Sequence, residues 1–280
     1  MQQINNSIIK KEAGITEYLN KEKVKNQIIN VVGNDYQRFI SSIISATSQN
    51  SELRECSNIS ILNCALLGQT LKLSPSPQLG QYFMIPFNTK QGKVATFQMG
   101  YKGYLQLAIR SGNYRKITVI SIKEGELIRY NPLTEELDVN LIEDYDVREN
   151  ARTIGYFGRL EFINGFSKSI YWNYNQMENH AKRYSSMFRK DLQFGEKKSY
   201  WSLNFDSMAY KTILKQLLSK WGILNTDLQT AIDADYIKSD DDKEEIKEEP
   251  KEETKEETKV QDKRINIEQH YQSAYDALFK

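Results

Sequence analysis

Few residues in this chain have the types and spacing needed to make or break bonds. Its two histidines, His180 and His270, lie far apart, and no serine or cysteine motif marks a nucleophile beside either. Metal-dependent phosphodiester cleavage needs clustered carboxylates, usually with a lysine or histidine nearby. Asp191 followed by Glu196-Lys197-Lys198 has that order only superficially, in a polar glycine-containing loop that reads as solvated. Glu143, Asp144 and Asp146 read as an acidic surface turn. A nucleotide-driven motor needs GxxxxGK[ST], whose backbone N–H groups cradle phosphates, and no such string occurs. Cys56 and Cys64 are eight apart, a spacing that fits neither a CxxC redox pair nor a zinc half-site. Both are expected to be packed thiols. No metal or cofactor is called for; magnesium remains possible without an identifiable ligand set.

Cation chemistry accumulates instead. The stretch GYKGYLQLAIRSGNYRK (100–116) sets Lys102 between close glycines, Arg110 at the end of an apolar run, and Arg115 and Lys116 at its exit. Lys182 and Arg183 lie on a second segment, and Lys211 and Lys215, at i and i+4, share one face of a third. Lys90 and Lys93 sit at the tip of an expected hairpin. A GxxG turn also allows close backbone approach, as phosphate-clamping turns do. Tyrosines interleave with these charges, and aromatic rings beside cations suit single strands because any base can stack. Tyr104 and Tyr184 fall on core stripes, which leaves Tyr101 and Tyr114 as stacking candidates. Each cation taken singly is better explained by solubility.

The net charge of +1 conceals an asymmetry. Residues 231–280 hold 9 basic and 16 acidic side chains, net −7, leaving 29 and 21, net +8, in residues 1–230. A basic body with an acidic tail points to a polyanionic partner for the body. No run approaches the roughly 18 apolar residues of a membrane span, and MQQINNSIIKKE lacks the apolar centre of a signal peptide. A cytoplasmic location without membrane contact is expected.

The elements that must position these residues follow from periodicity. Leu19, Val24 and Ile28 mark one helix, with Thr16 as its cap. Phe39, Ile40, Ile43 and Ile44 mark a second, and Ile61, Leu62, Ala65, Leu66 and Leu71 a third, capped by Ser57. QYFMIPF and VATFQM around NTKQGK predict a hairpin, ITVISI another strand, and the runs flanking Asn164-Gly165 a second hairpin. Met177, Ala181, Tyr184 and Phe188 predict one helical stripe, and Trp201–Trp221 one long helix closed by Gly222. The charged KEET repeats beyond about Asp233 have almost nothing to bury and are expected to be disordered. Ile267, Tyr271, Ala274, Tyr275 and Leu278 then share a helical face. The class is α+β: N-terminal helices, a central, mostly antiparallel sheet of hairpins, and C-terminal helices. Residues 1–230 form the core, 231–264 a disordered acidic linker, and 265–280 a short amphipathic docking helix.

Four blocks together resemble the RecT-type phage single-strand annealing proteins: LNCALLGQTLKLSPSPQLGQYFMIPF, GYKGYLQLAIRSG, ENHAKRYS and W..NFDSMAYKTILKQLLSKWG. They occur in that family's order and span about Leu62 to Gly222. The resemblance implies an ATP-independent recombinase, not an enzyme, that anneals complementary strands as a homo-oligomeric ring or filament. Its implied partners are single-stranded DNA and the annealed duplex, a 5′–3′ exonuclease and a host single-strand binding protein. Lys102, Arg110, Lys182, Arg183 and Lys211 lie inside the matching blocks and are carried over as backbone contacts. Lys90, Lys93, Lys215, Arg115, Lys116 and Tyr101 rest on charge and geometry alone. A metal-dependent nuclease and a non-catalytic adaptor stay open as alternatives.

Overall fold

The computed structural model describes residues 14–90, 92–223 and 225–241, with side chains accounted for to Asp235. Four helices come first: α1 (Ile15–Asn20), α2 (Glu22–Val32), α3 (Tyr36–Ser48) and α4 (Asn58–Thr70). Leu19, Val24, Ile28, Phe39, Ile40, Ile43, Ile61, Leu62 and Ala65 are buried, as their spacing predicts. The first expected helix is interrupted, because Lys21 takes an extended conformation and divides α1 from α2. Ser57 does precede α4.

Strands β1 (Tyr82–Thr89) and β2 (Gly92–Met99) form the first expected hairpin, in register from Tyr82 opposite Met99 to Thr89 opposite Gly92. Cys56 and Cys64 are both buried, and the Cys64 thiol donates to the Ala95 carbonyl of β2 at 3.3 Å. Helix α5 (Tyr101–Arg110) starts directly after the hairpin. The GYKG stretch is therefore not a free turn but the N-cap and first turn of α5. Its glycines serve packing within the chain. A Cβ on Gly103 would lie 2.0 Å from the Gln81 carbonyl oxygen, and one on Gly100 2.1 Å from that of Gly80. The helix can butt against its own preceding loop only without side chains there.

A three-stranded antiparallel sheet follows, in the order β3 (Tyr114–Lys123), β6 (Thr153–Phe162), β7 (Ser167–Asn173). The pairing of β6 and β7 is the hairpin predicted around Asn164-Gly165. Between β3 and β6 the chain makes a ribbon of β4 (Leu127–Asn131) and β5 (Glu136–Val139), then α6 (Tyr145–Asn150). Asp144, from the acidic cluster, caps α6 by accepting the Val147 N–H.

The C-terminal helices are α7 (Tyr174–Tyr184), α8 (Ser186–Phe194), α9 (Tyr200–Leu203), α10 (Phe205–Trp221) and α11 (Thr226–Asp241). Helix α10 packs across the three-stranded sheet and against α5, burying Ala209, Ile213, Leu214, Leu217 and Leu218. Each fully buried leucine or isoleucine is worth about 1.5–3 kcal/mol. Gly158, in mid-strand, makes this approach possible, since a Cβ there would come within 2.4 Å of the Ile213 side chain. The α+β class is thus observed, and among the described residues no helix is long and apolar enough to cross a membrane.

Three sequence expectations are corrected here. The Met177–Phe188 stripe is split at Ser185, whose hydroxyl caps α8 by accepting the Phe188 N–H; Tyr184 consequently lies 49% exposed rather than in the core. The long helix from Trp201 is broken at Asn204, which caps α10 through the Ser207 N–H. The linker boundary at 231 falls inside α11, where Leu228, Ala231 and Ile232 are buried. Residues 242–264 of that linker and the helix expected at 265–280 lie outside the described residues.

Candidate nucleic-acid interface

The base of the β1–β2 hairpin, the start of α5, and the α9–α10 junction enclose a cleft of about 290 Å³. Phe83 and Met99 enter it from the hairpin, Tyr101 and Lys102 from α5, Tyr200 from α9, and Met208, Tyr210 and Lys211 from α10. Two aromatic pairs line it, Phe83 with Tyr200 at 6.4 Å between ring centroids and Tyr101 with Tyr210 at 6.3 Å. Lys102 is exposed at the rim, whereas Lys211 is part of the wall, its side chain only 12% exposed. Residues over a hundred positions apart in sequence therefore put two cations and four rings around one cleft.

Asp235 of α11 lies behind Lys211. Its carboxylate accepts from Lys215 Nζ at 2.9 Å, Tyr104 Oη at 2.8 Å and the Met99 backbone N–H at 3.2 Å, and it pairs with Lys211 Nζ at 3.5 Å. Burial opposes its charge, but Lys211, Lys215 and the hydrogen bonds outweigh burial and hold the carboxyl at about 2. For Lys211 the balance is opposite: burial lowers its pKa, and Asp235, shared with the closer Lys215, restores only part. Lys211 is thus a desolvated cation that shares one carboxylate with Lys215 and lines an apolar cleft.

The other candidates do not line this cleft, and several have internal partners. Arg110 donates to the carbonyls of Leu71 and Lys72 at the end of α4 and lies 3.6 Å from Asp227. Lys93 pairs with Glu55, and Lys182 with Glu178 at i,i+4. Among the described residues, Lys90, Lys102, Arg115, Lys116 and Arg183 are exposed and form no ion pair. Arg183 stands over its neighbour Tyr184 at 5.6 Å. Of the stacking candidates, Tyr101 is in the cleft. Tyr114 packs on Phe162 and its hydroxyl accepts the Ile223 N–H.

His180 sits among Trp172, Tyr184 and Trp201. Burial, reinforced by the charges of Lys215 and Arg183, lowers its pKa to about 4, so the ring is neutral at pH 7. Asp191 is not a solvated loop residue. Its carboxylate accepts from the backbone N–H groups of Lys198 and Ser199 and from the Ser202 hydroxyl, tying α8 to α9. Burial raises its pKa, but these donors overcome burial and keep it below the usual carboxylate range. Among the described residues no three His, Cys, Asp or Glu side chains are grouped to hold a metal.

The RecT family profile matches residues 37–256, from α3 through the whole of the cleft and α11. The chain belongs to the RecT family, and with that membership goes a single-strand annealing role in recombination. It is 37% identical over 254 residues to the uncharacterised protein YqaK of Bacillus subtilis (strain 168), covering 88% of this chain and 82% of that protein. It is 22% identical over 231 residues to protein RecT of Escherichia coli (strain K12), covering 80% and 81% of the two chains.

Sequence reasoning found Tyr101, Lys102 and Lys211 but not the residues that complete the cleft. Phe83 and Met208 lie in the blocks that carry the family resemblance, without a pattern that sets them apart as binding residues. Tyr200 lies one residue ahead of the last block, without a pattern of its own. Asp235 was hidden by the charged composition that follows it.

Proposed function

We propose that this protein binds single-stranded DNA and anneals complementary strands without nucleotide hydrolysis, as a homo-oligomer whose protomers present their clefts along the strand. The observation that carries this reading is the meeting of Tyr101, Lys102 and Lys211 in one aromatic cleft, in a chain of the RecT family. Exposed cations outside the cleft, Lys90, Arg115, Lys116 and Arg183, extend the grip on phosphates, and Arg110, Lys182 and Lys215 contribute field from their paired positions. Phosphate neutralisation releases counterions, so affinity falls steeply with salt. Pairing supplies the driving force at about 1.4 kcal/mol per stacked step, and no fuel is needed. A 5′–3′ exonuclease that exposes the strands and a host single-strand binding protein complete the reading, in the cytoplasm of a bacterial host.

The test mixes complementary fluorophore- and quencher-labelled oligonucleotides with the protein, without ATP, with and without Mg²⁺. Accelerated quenching with intact strands is the expected result. Shortened strands would establish a nuclease, and neither effect would leave an adaptor.

A further inference from the structure

Resting on that reading, we infer that the cleft takes one unstacked nucleobase of the bound strand per protomer, with the adjoining phosphate on Lys102 and Lys211. Phosphate contact alone requires no cavity: exposed cations on a convex surface neutralise a backbone equally well. Here the two lysines instead border an apolar recess of about 290 Å³, just under the range of drug-sized ligand pockets, roughly 300–1,000 Å³. That volume suits one planar ring with its sugar.

The walls match a base better than an aliphatic side chain. Tyr200 is 56% exposed, and it and Phe83 form one of the two aromatic pairs, with Tyr101 and Tyr210 forming the other. Any base can stack on such faces whatever its sequence, and Met208 adds a polarisable, adaptable contact. Asn204 also lines the cleft. Its Oδ1 is used by the Ser207 N–H, and its amide NH₂ makes no hydrogen bond within the described residues, leaving a donor for a base carbonyl. Lys211 supplies the charge complementarity: a desolvated ammonium, 3.5 Å from a carboxylate it shares, gains from a second anion at the cleft mouth.

The consequence is a strand anchored at one base per protomer, its other bases left to test pairing. The experiment compares the full chain's affinity for an oligothymidylate and for an abasic deoxyribose-phosphate oligomer of equal length, by fluorescence anisotropy at one salt concentration. The wild type should prefer the base-bearing strand by about tenfold, equivalent to about 1.4 kcal/mol. Tyr200→Ala, which removes an exposed ring, and Ser207→Trp, which fills the cleft from an exposed position, should each bring the base-bearing strand down to the abasic one's affinity. Equal wild-type binding of the two strands, or a preference that both variants retain, overturns the base site while leaving backbone binding intact. Failure to bind either strand overturns the annealing reading as well.

Discussion

Asp235 is where one substitution tests the most structure. Its carboxylate, 4% exposed, is shared by Lys211, Lys215, the Tyr104 hydroxyl and the Met99 N–H, so it joins α11 to α10, α5 and β2. Its pKa is lowered from 3.8 to about 2 in the fold, and at about 1.36 kcal/mol per unit that makes ionisation worth about 2–3 kcal/mol of stability at neutral pH. Asp235→Asn keeps the shape and an acceptor oxygen but loses the charge, so a destabilisation of about 2–3 kcal/mol is expected. Asp235→Ala removes the acceptor oxygen as well, and about 3–5 kcal/mol is the usual cost of deleting one partner of a buried ion pair. Against a total of about 5–15 kcal/mol, the alanine variant is marginal.

The pH dependence separates this account from simple loss of packing. A carboxyl with a depressed folded-state pKa stabilises fully above its unfolded value, and that stabilisation is lost as pH falls through the folded one. The gap between wild type and Asp235→Asn should therefore be constant near neutrality, about halve at pH 3 and close below pH 2. Urea denaturation at several pH values measures the gap directly, because every other titrating group is common to both proteins. A gap under about 0.5 kcal/mol at pH 7, the scale of an ordinary surface substitution, would refute the buried network. So would a gap that widens in acid.

Lys102→Ala, at the exposed rim, should weaken single-strand binding equally across base compositions, leave the urea midpoint unchanged and reduce the slope of log affinity against log salt by about 0.7; a loss confined to one base composition would contradict backbone contact. His180, neutral in the fold, makes the unfolded chain the better proton acceptor between its ordinary value of 6.5 and about 4. Stability should thus drop across that window by up to about 3 kcal/mol in the wild type and not in His180→Gln, as followed by thermal unfolding in matched buffers. Gly103→Ala places a methyl group against the Gln81 carbonyl, at 2.0 Å before relaxation. It should destabilise by about 1–3 kcal/mol, and an unchanged unfolding midpoint with lost DNA binding would restore the phosphate-clamp reading of GYKG.

Element types were legible in the sequence because they are local. The apolar spacing of α3 and α4, the polar tip between β1 and β2, and Asn164-Gly165 each act over a few residues. Helix ends were less legible. Ser185 and Asn204 cap new helices in the middle of apolar periodicity, and a cap is visible only once the chain has turned. The end of the core was misread for a different reason. Composition averages over a window, and the acidic repeats beyond 242 masked Ala231, Ile232 and Asp235, which the core requires. The partners of cations were the least legible: Arg110 and Asp227 are 117 residues apart, and no local pattern encodes that pair.

Those pairings change what the charge count means. With the boundary moved to 241, the body holds 30 basic and 25 acidic side chains, net +5 rather than +8, and the remaining tail is −4. An ion pair within the body cancels in that sum, so the long-range field that draws a polyanion comes from the excess alone. Where the strand is gripped is a separate question, decided by which cations are left solvated or incompletely matched. Lys93, Lys182 and Arg110 are held by carboxylates or helix-end carbonyls on their own or neighbouring elements, whereas Lys102 is exposed and Lys211 shares its carboxylate. Field and contact therefore select different lysines. Only the second selection depends on the fold, through the solvent exposure of Lys102 and the α11 carboxylate that Lys211 shares with Lys215.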